Sequence, residues 1–481
     1  MVGGDWRADA DQESRLRPGQ VGSMTRRGFL SAAAPAAMAA ARTRPNVVLF
    51  LIDDLGWRDV GFNGGEIPTP NIDRIAREGV RLGQFSCFPL CTPSRAGLMT
   101  GRSPMRYGLM YSVIRPWSAY GVPPDERMLS EVFRDNGYQT AIIGKWHLGH
   151  GHRALTPNRR GFDHFYGHVN AEIDYFEHTK LGGLDWQRNG KGVRETGYAT
   201  ELLGREAAGW LARRDRSRPY FLYMAFNAIH APMQAPAAAL DRFRDVADPK
   251  RRTLAAMLDV VDEQIGRVLD MLDPDTLVVF LSDNGGAPGQ GSRNDPFRAG
   301  KLTPYEGGLR VPAAMRWPGV LAPGRVDAWM TVLDVFPTLT AAAGLAAGRT
   351  KPLDGVDMWP VIRGQSAGAH PDLFVACKRN ETADFQFALR SGAWKLVQTV
   401  RAGVVAGMEL FNLDDDPREA NDRSAGERDR VSRMAAEIER WKKLHPQADY
   451  HSSMGEHPGW VAPADYATLA ADYAERAPSG R

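Results

Sequence analysis

Cysteine is scarce: Cys87, Cys91 and Cys377 are the only three in 481 residues, which excludes a disulfide scaffold. Neither sign of charge dominates. Lys and Arg total 60 against 57 Asp and Glu, a net charge of +3, so the basic excess of a nucleic-acid binder is missing and no nucleic-acid partner is expected. Long hydrophobic runs are missing too. The apolar stretch 31–41 falls well short of the ~20 residues that span a bilayer. The apolar stretch 220–240 is interrupted by Asn227, His230, Gln234 and two prolines, so no integral membrane segment is expected. Internal repeats are absent. What remains is globular: 43% hydrophobic and 24% charged residues exclude a wholly disordered chain. The 50 glycines and 32 prolines imply many tight loops.

The chain opens on a polar leader, 1–23. Thr25-Arg26-Arg27-Gly28-Phe29-Leu30 then precedes an Ala-rich run. Two arginines, a short apolar segment and the small residues Ala37-Met38-Ala39 read as a twin-arginine export signal over 24–41 with its cleavage site. Met24 is an alternative initiator, which leaves 1–23 untranslated. The expected partner of this segment is the twin-arginine translocon, and the expected destination is the periplasm or exterior of a bacterium.

Beyond the signal, apolar runs at 46–52, 140–144, 220–226 and 276–281 suit strands buried on both faces. Helical patterns at 71–79, 126–136, 200–213 and 253–272 separate them. The alternation predicts an α/β sandwich with a large, mainly parallel sheet. In such sheets ligands sit outside the carboxyl ends of the strands. Each expected strand ends in reactive residue types: Asp53-Asp54, Lys145-Trp146-His147, Asn227 with His230, and Asp283-Asn284. After about residue 370 the pattern changes. A hairpin around Ser391-Gly392, a strand at 408–413 and an amphipathic helix at 427–444 predict a smaller α+β unit with an antiparallel sheet. The expected division is a catalytic domain over 44–370 and a C-terminal subdomain over 371–481.

Four segments carry a specific pattern: Cys91-Thr92-Pro93-Ser94-Arg95 running on to Thr100-Gly101-Arg102; Gly144-Lys145-Trp146-His147-Leu148-Gly149; Arg160-Gly161-Phe162-Asp163; and Glu306-Gly307-Gly308-Leu309-Arg310-Val311-Pro312. Over these the chain resembles the sulfatase family, and the resemblance covers nearly the whole mature chain. Residues 56–65, Thr69-Pro70-Asn71-Ile72-Asp73, Pro89-Leu90-Cys91 and Ile173-Asp174-Tyr175-Phe176 look most like the arylsulfatase B branch, the N-acetylgalactosamine-4-sulfatases. The resemblance implies an alkaline-phosphatase-like fold and hydrolysis of a sulfated carbohydrate or aryl sulfate. It implies that a formylglycine-generating enzyme oxidises Cys91 to an aldehyde. By the same resemblance, Ca²⁺, with Mg²⁺ as second choice, binds Asp53, Asp54, Asp283, Asn284 and an oxygen of residue 91. Arg95 and Lys145 then hold the hydrated aldehyde and metal shell, and Lys301 binds sulfate. His147 takes the proton that releases sulfate, and His230 with Lys301 assists the leaving alcohol.

Physical chemistry supports this assignment. A sulfate ester is anionic, so its hydrolysis needs concentrated positive charge and a strong, positioned nucleophile. A thiol there would form an adduct that is hard to resolve, whereas a hydrated aldehyde has a second hydroxyl through which sulfate is expelled. Carboxylate and amide oxygens suit a hard cation, and imidazoles suit proton transfer near neutral pH. The alternative enzyme of the same superfamily is a phosphonate monoester or phosphodiester hydrolase. The non-enzymatic alternative is a calcium or glycan binder with unmodified Cys91. His150, His152, His164, His168, Asn170 and Asp174 are expected near the substrate cleft without assigned roles. Asp414-Asp415-Asp416 reads as a solvated turn, and Cys87 as packing.

Overall fold

The structure, a computed structural model, describes residues 44–368, 370–378, 384–446 and 459–470. The leader and export signal expected over 1–41 lie outside the described residues.

A ten-stranded sheet organises the chain. Its strands are β1 (Asn46–Ile52), β2 (Val80–Ser86), β3 (Gln139–Lys145) and β4 (His164–His168); then, after a two-stranded ribbon β5 and β6 (Thr179–Lys180, Gly183–Leu184), β7 (Gln187–Arg188), β8 (Lys191–Gly192), β9 (Tyr220–Ala225), β10 (Thr276–Ser282), β11 (Ala313–Arg316) and β12 (Gly324–Thr331). Their order across the sheet is β12-β2-β11-β10-β1-β9-β3-β4-β7-β8. The central set β10-β1-β9-β3-β4 is parallel throughout, and β11 and β7 pair antiparallel on its two sides.

Strand β1 shows why the sheet is a sandwich. All seven residues are buried, and alternate side chains enter different cores. Val47, Leu49 and Leu51 join one apolar cluster, while Val48, Phe50 and Ile52 join the other. Helix α1 (Pro70–Arg77) and the helices Ala199–Arg213 and Pro249–Leu269 cover the second face. Helix α2 (Cys91–Thr100) and the helix Leu129–Asp135 cover the first. The expected elements are present within a few residues of their expected ends.

The sequence does not announce every element, and β2, α2 and β12 are among those it hides. The strand β2 alternates apolar residues with Arg81 and Gln84 and lacks the signature of a doubly buried strand. Helix α2 contains Pro93 and Gly97, both poor helix formers, yet all ten of its residues are buried. Packing holds it, and Pro93 falls in the first turn, where a missing N–H costs little. Strand β12 carries Arg325 and Asp327.

A separate four-stranded antiparallel sheet, β13-β14-β15-β16, runs through Leu373–Lys378, Phe385–Ser391, Trp394–Arg401 and Val404–Asn412. The helix Arg428–Lys442 packs on β14 and β15. Buried Lys395 of β15 ties this sheet to the segment that leads into β11. Its ammonium bridges Glu306 and Glu419, each at 2.9 Å. Among the described residues no helix is long and apolar enough to cross a membrane.

Candidate active site

The carboxyl ends of β1, β3, β9 and β10 meet the start of α2. Asp53 and Asp54 follow β1, Lys145 ends β3 with His147 just beyond, His230 follows β9, and Asp283 and Asn284 follow β10. Cys91 is the first residue of α2, at the positive end of the helix. Arg95, one turn on, lies on the same face. The backbone bends sharply here. Asp54 and His147 both adopt left-handed conformations, with φ of 62° and 57°, strain of a kind that concentrates at functional sites.

Burial is nearly complete. Asp53, Arg95, Lys145, His147, Asp283 and Asn284 are 0% exposed, Asp54 1% and Cys91 2%. Arg95 donates to Asp53 Oδ2 at 3.2 Å, Asp283 Oδ2 at 3.0 Å and the Lys145 carbonyl at 3.1 Å. Lys145 Nζ contacts Asp53 Oδ2, and Lys301 Nζ reaches Asp54 at 2.7 Å. Cys91 Sγ lies 3.4 Å from Asp53 Oδ1. Asp54 accepts from Asn284 Nδ2 at 2.8 Å. Three carboxylates thus face three cations, and each buried charge is compensated.

Loops beyond β10 bring Lys301 in. Gly285 N donates to Gly308 O, and Lys301 N to Gly286 O, both at 3.0 Å. A Cβ on Gly285 would stand 1.9 Å from the Gly307 carbonyl, so only glycine lets these loops interlock.

The environment sets the protonation states. Burial pushes the Asp53 carboxyl up, but Lys145, with His230, Arg95 and Lys301, outweighs it and holds it well below its ordinary value. Burial and the Asp53 charge push the Cys91 thiol well up. An unmodified Cys91 is therefore protonated at neutral pH and a poor nucleophile. Burial, then Lys145, pull His147 well below its ordinary value, so it is neutral. Its Nε2 lies 2.9 Å from the Ile114 carbonyl, which can only accept. Nε2 therefore carries the proton, and buried Nδ1, which has no other partner, keeps a free lone pair. His230 Nδ1 lies 2.8 Å from the Ala231 carbonyl, which by the same reasoning leaves Nε2 unprotonated, 3.8 Å from Asp54 Oδ2.

These donors fit a divalent cation. Ligand atoms of Asp53, Asp54, Cys91 and His230 lie within 4.8 Å of one another, and Asn284 Oδ1 is buried with no hydrogen-bond partner. Carboxylate and amide oxygens with one imidazole suit a hard or borderline ion.

The structure thus brings together Asp53, Asp54, Cys91, Arg95, Lys145, His147, His230, Asp283, Asn284 and Lys301. It adds His230 to the possible ligands. Two supports were not read from the sequence. The Ile114 carbonyl, which fixes the His147 tautomer, is a backbone group without a residue signature. The Tyr175 hydroxyl donates to the carbonyls of Asn227 and His230, both at 2.8 Å, and steadies the turn carrying His230. Two residues expected near the cleft make local contacts instead. His164 pairs with Glu206 at 2.9 Å, and Asp174 accepts from Phe176 N and Glu177 N. Asp416 accepts from Asn421 N. Buried Cys87 donates to the Ser282 carbonyl and is not disulfide-bonded.

Comparison with known proteins fixes the class. The sulfatase family profile matches residues 45–345, and the chain belongs to the sulfatase family. It is 35% identical to mouse (Mus musculus) arylsulfatase J over 342 residues, 68% of this chain and 57% of that protein. It is 36% identical to human (Homo sapiens) N-acetylgalactosamine-6-sulfatase over 349 residues, 66% of each. The chain therefore spans little more than half of the first relative and about two thirds of the second. The likeness extends to a steryl-sulfatase and arylsulfatase A, so it is spread over several sulfatase branches. Among solved structures, Ps i-CgsB in complex with k-i-k-neocarrahexaose superposes with a TM-score of 0.78 at 34% identity, covering 85% of this chain and 95% of that one. The phosphonate monoester hydrolase of Agrobacterium radiobacter, at 20% identity and a TM-score of 0.59 over 84% and 96% of the two chains, shares the fold.

Proposed function

We propose that this protein hydrolyses sulfate esters of carbohydrates or aryl alcohols, releasing inorganic sulfate. The observation that carries the reading is the meeting of Cys91, Asp53, Asp54, Lys145, His147 and Lys301 at one buried point. A formylglycine made from Cys91 supplies a geminal diol, the nucleophile that the buried thiol is not. A divalent cation, Ca²⁺ on this reading, held by Asp53, Asp54, Asp283, Asn284 and residue 91, supplies Lewis acidity toward the sulfuryl oxygens.

The chain's own residues do the rest. Arg95 and Lys145 hold Asp53 and Asp283 in place and balance their charge. Lys301, whose ammonium is held charged by Asp54 despite burial, faces the anionic ester. His147 accepts at Nδ1 the proton whose loss releases sulfate. His230, once Nε2 has taken a proton from solvent, passes it to the leaving alkoxide, with Lys301 alongside. The helix α2 dipole adds positive potential at residue 91.

The test is sulfate release from a chromogenic aryl sulfate by protein from a host that contains the converting enzyme. Turnover is expected, with loss in Cys91→Ala and an aldehyde in place of the thiol in the peptide containing residue 91. Turnover that survives Cys91→Ala refutes the mechanism, and strong preference for an aryl phosphonate refutes the substrate class. Export through the twin-arginine translocon to the periplasm or exterior is part of the same proposal. That route carries folded proteins, so conversion of Cys91 precedes export, and the cytoplasmic pool should already contain the aldehyde.

A further inference from the structure

Beside the site lies a cavity of about 420 Å³, within the roughly 300–1,000 Å³ range of small-molecule sites. His150 and Arg153 from the loop after β3, Arg159, Gln187 of β7, Lys191 of β8 and Tyr466 line it. It adjoins the candidate active site through the backbone: Val169, also in its wall, accepts from His147 N at 3.2 Å.

Two observations mark it as built to hold something. First, two buried polar atoms in its lining lack partners. His150 is 1% exposed, and its Nε2 lies 3.0 Å from the Pro116 carbonyl. That carbonyl can only accept, so Nε2 is protonated and the unpartnered Nδ1 is an acceptor. The hydroxyl of Tyr466, also 1% exposed, has no hydrogen bond. Second, the charge in the wall is of one sign. Arg153, Arg159 and Lys191 line the cavity, and among the described residues no carboxylate does. Arg159 and Lys191 are exposed and make no ion pair among the described residues.

We propose that this cavity is an accessory subsite for an anionic substituent, a sulfate ester or a uronate carboxylate, on a sugar next to the one whose ester is cleaved. The inference rests on the sulfatase reading. Arg159 and Lys191 bind the anion, the guanidinium through its planar fork. His150 Nδ1 accepts from a sugar hydroxyl, and the Tyr466 hydroxyl completes the ring's hydrogen bonds. The preferred substrate is then a multiply charged oligosaccharide.

The double variant Arg159→Ser/Lys191→Ser tests this. Both residues are exposed, so the fold is retained. Four probes are used: an aryl monosulfate, a disulfated tetrasaccharide of neutral sugars, a monosulfated tetrasaccharide containing one uronic acid, and a monosulfated neutral tetrasaccharide. For at least one of the two doubly anionic tetrasaccharides, the variant is expected to raise KM about tenfold with kcat unchanged, and the more affected one identifies the anion. The aryl monosulfate and the neutral tetrasaccharide should be unaffected. Calorimetric binding of the same tetrasaccharides to Cys91→Ala protein should show the same loss and weaken with added salt. Equal loss on the neutral tetrasaccharide, or no loss on either doubly anionic one, overturns the subsite. Failure of the converted, unsubstituted enzyme to turn over any sulfate ester overturns the sulfatase reading instead, and the binding arm still judges the subsite.

Discussion

Replacing Arg95 with methionine keeps the stem of the side chain and its helix propensity but removes the charge that joins Asp53 to Asp283. All three residues are 0% exposed. Breaking a buried ion pair by removing one partner costs about 3–5 kcal/mol. Here two carboxylates are stranded, but one has a way out. Burial, then the Asp53 charge, already push Asp283 from 3.8 to about 6 even with Arg95 present. Without Arg95 it rises further and binds a proton at pH 7.5. We expect a loss of about 4 kcal/mol at pH 7.5 in metal-free protein. At pH 5.5 Asp283 is protonated in the parent as well. Over the interval from pH 6 to 7.5 only the variant's folded state carries that proton. Its stability relative to the parent therefore falls by ~1.4 kcal/mol per pH unit, about 2 kcal/mol in all, and the loss at pH 5.5 should be only ~2 kcal/mol. Urea unfolding of both proteins with chelator at the two pH values gives the numbers. A loss below 1 kcal/mol at pH 7.5, or one equal at both pH values, refutes the charge balance described for this site.

Three further outcomes are expected. Ca²⁺ at about a hundred times its dissociation constant should stabilise the protein by ~2.7 kcal/mol, and Asn284→Leu should abolish most of that shift; a thermal scan with and without Ca²⁺ decides. His147→Asn should lower kcat by about 10²–10⁴ with little change in KM. Because burial and Lys145 hold His147 well below its ordinary 6.5, the acid limb of kcat in the parent should fall below that value, and a limb at or above it contradicts the assignment. Asp262 lies away from the site, accepting from the first two N–H groups after Pro70, and burial raises it to about 6. Its folded value stands above its unfolded one, so the stability it contributes is complete below about pH 4 and is lost as pH rises through 6. The difference is about 3 kcal/mol, and Asp262→Asn should remove that slope from urea titrations.

The legible parts of this protein share a cause. Strands in the parallel centre of the sheet are apolar on both faces, so β1, β9 and β10 stand out as unbroken runs, and the polar residues at their ends stand out by contrast. Site residues inside contiguous motifs, Cys91 with Arg95 and Lys145 with His147, were legible for the same reason. What was hidden depends on other kinds of information. The helical state of 91–100 is imposed by packing against its intrinsic preferences. The tautomer of His147 is set by a backbone carbonyl from residue 114. The cavity walled by β7, β8 and Tyr466 gathers segments some 300 residues apart, each unremarkable alone.

The position of β1 has a consequence in time. It lies between β9 and β10, so the strand that carries Asp53 and Asp54 gains its second neighbour only once residue 282 has been made. At about 5–20 residues per second, the chain from residue 92 to 282 takes roughly 10–40 s to emerge. Until then the sandwich that buries Cys91 to 2% exposure lacks its central pairing, and the thiol stays within reach of solvent. The topology therefore acts as a clock. On the proposed conversion of Cys91, an enzyme that reads the unfolded chain would have tens of seconds to act before the fold closes over the residue.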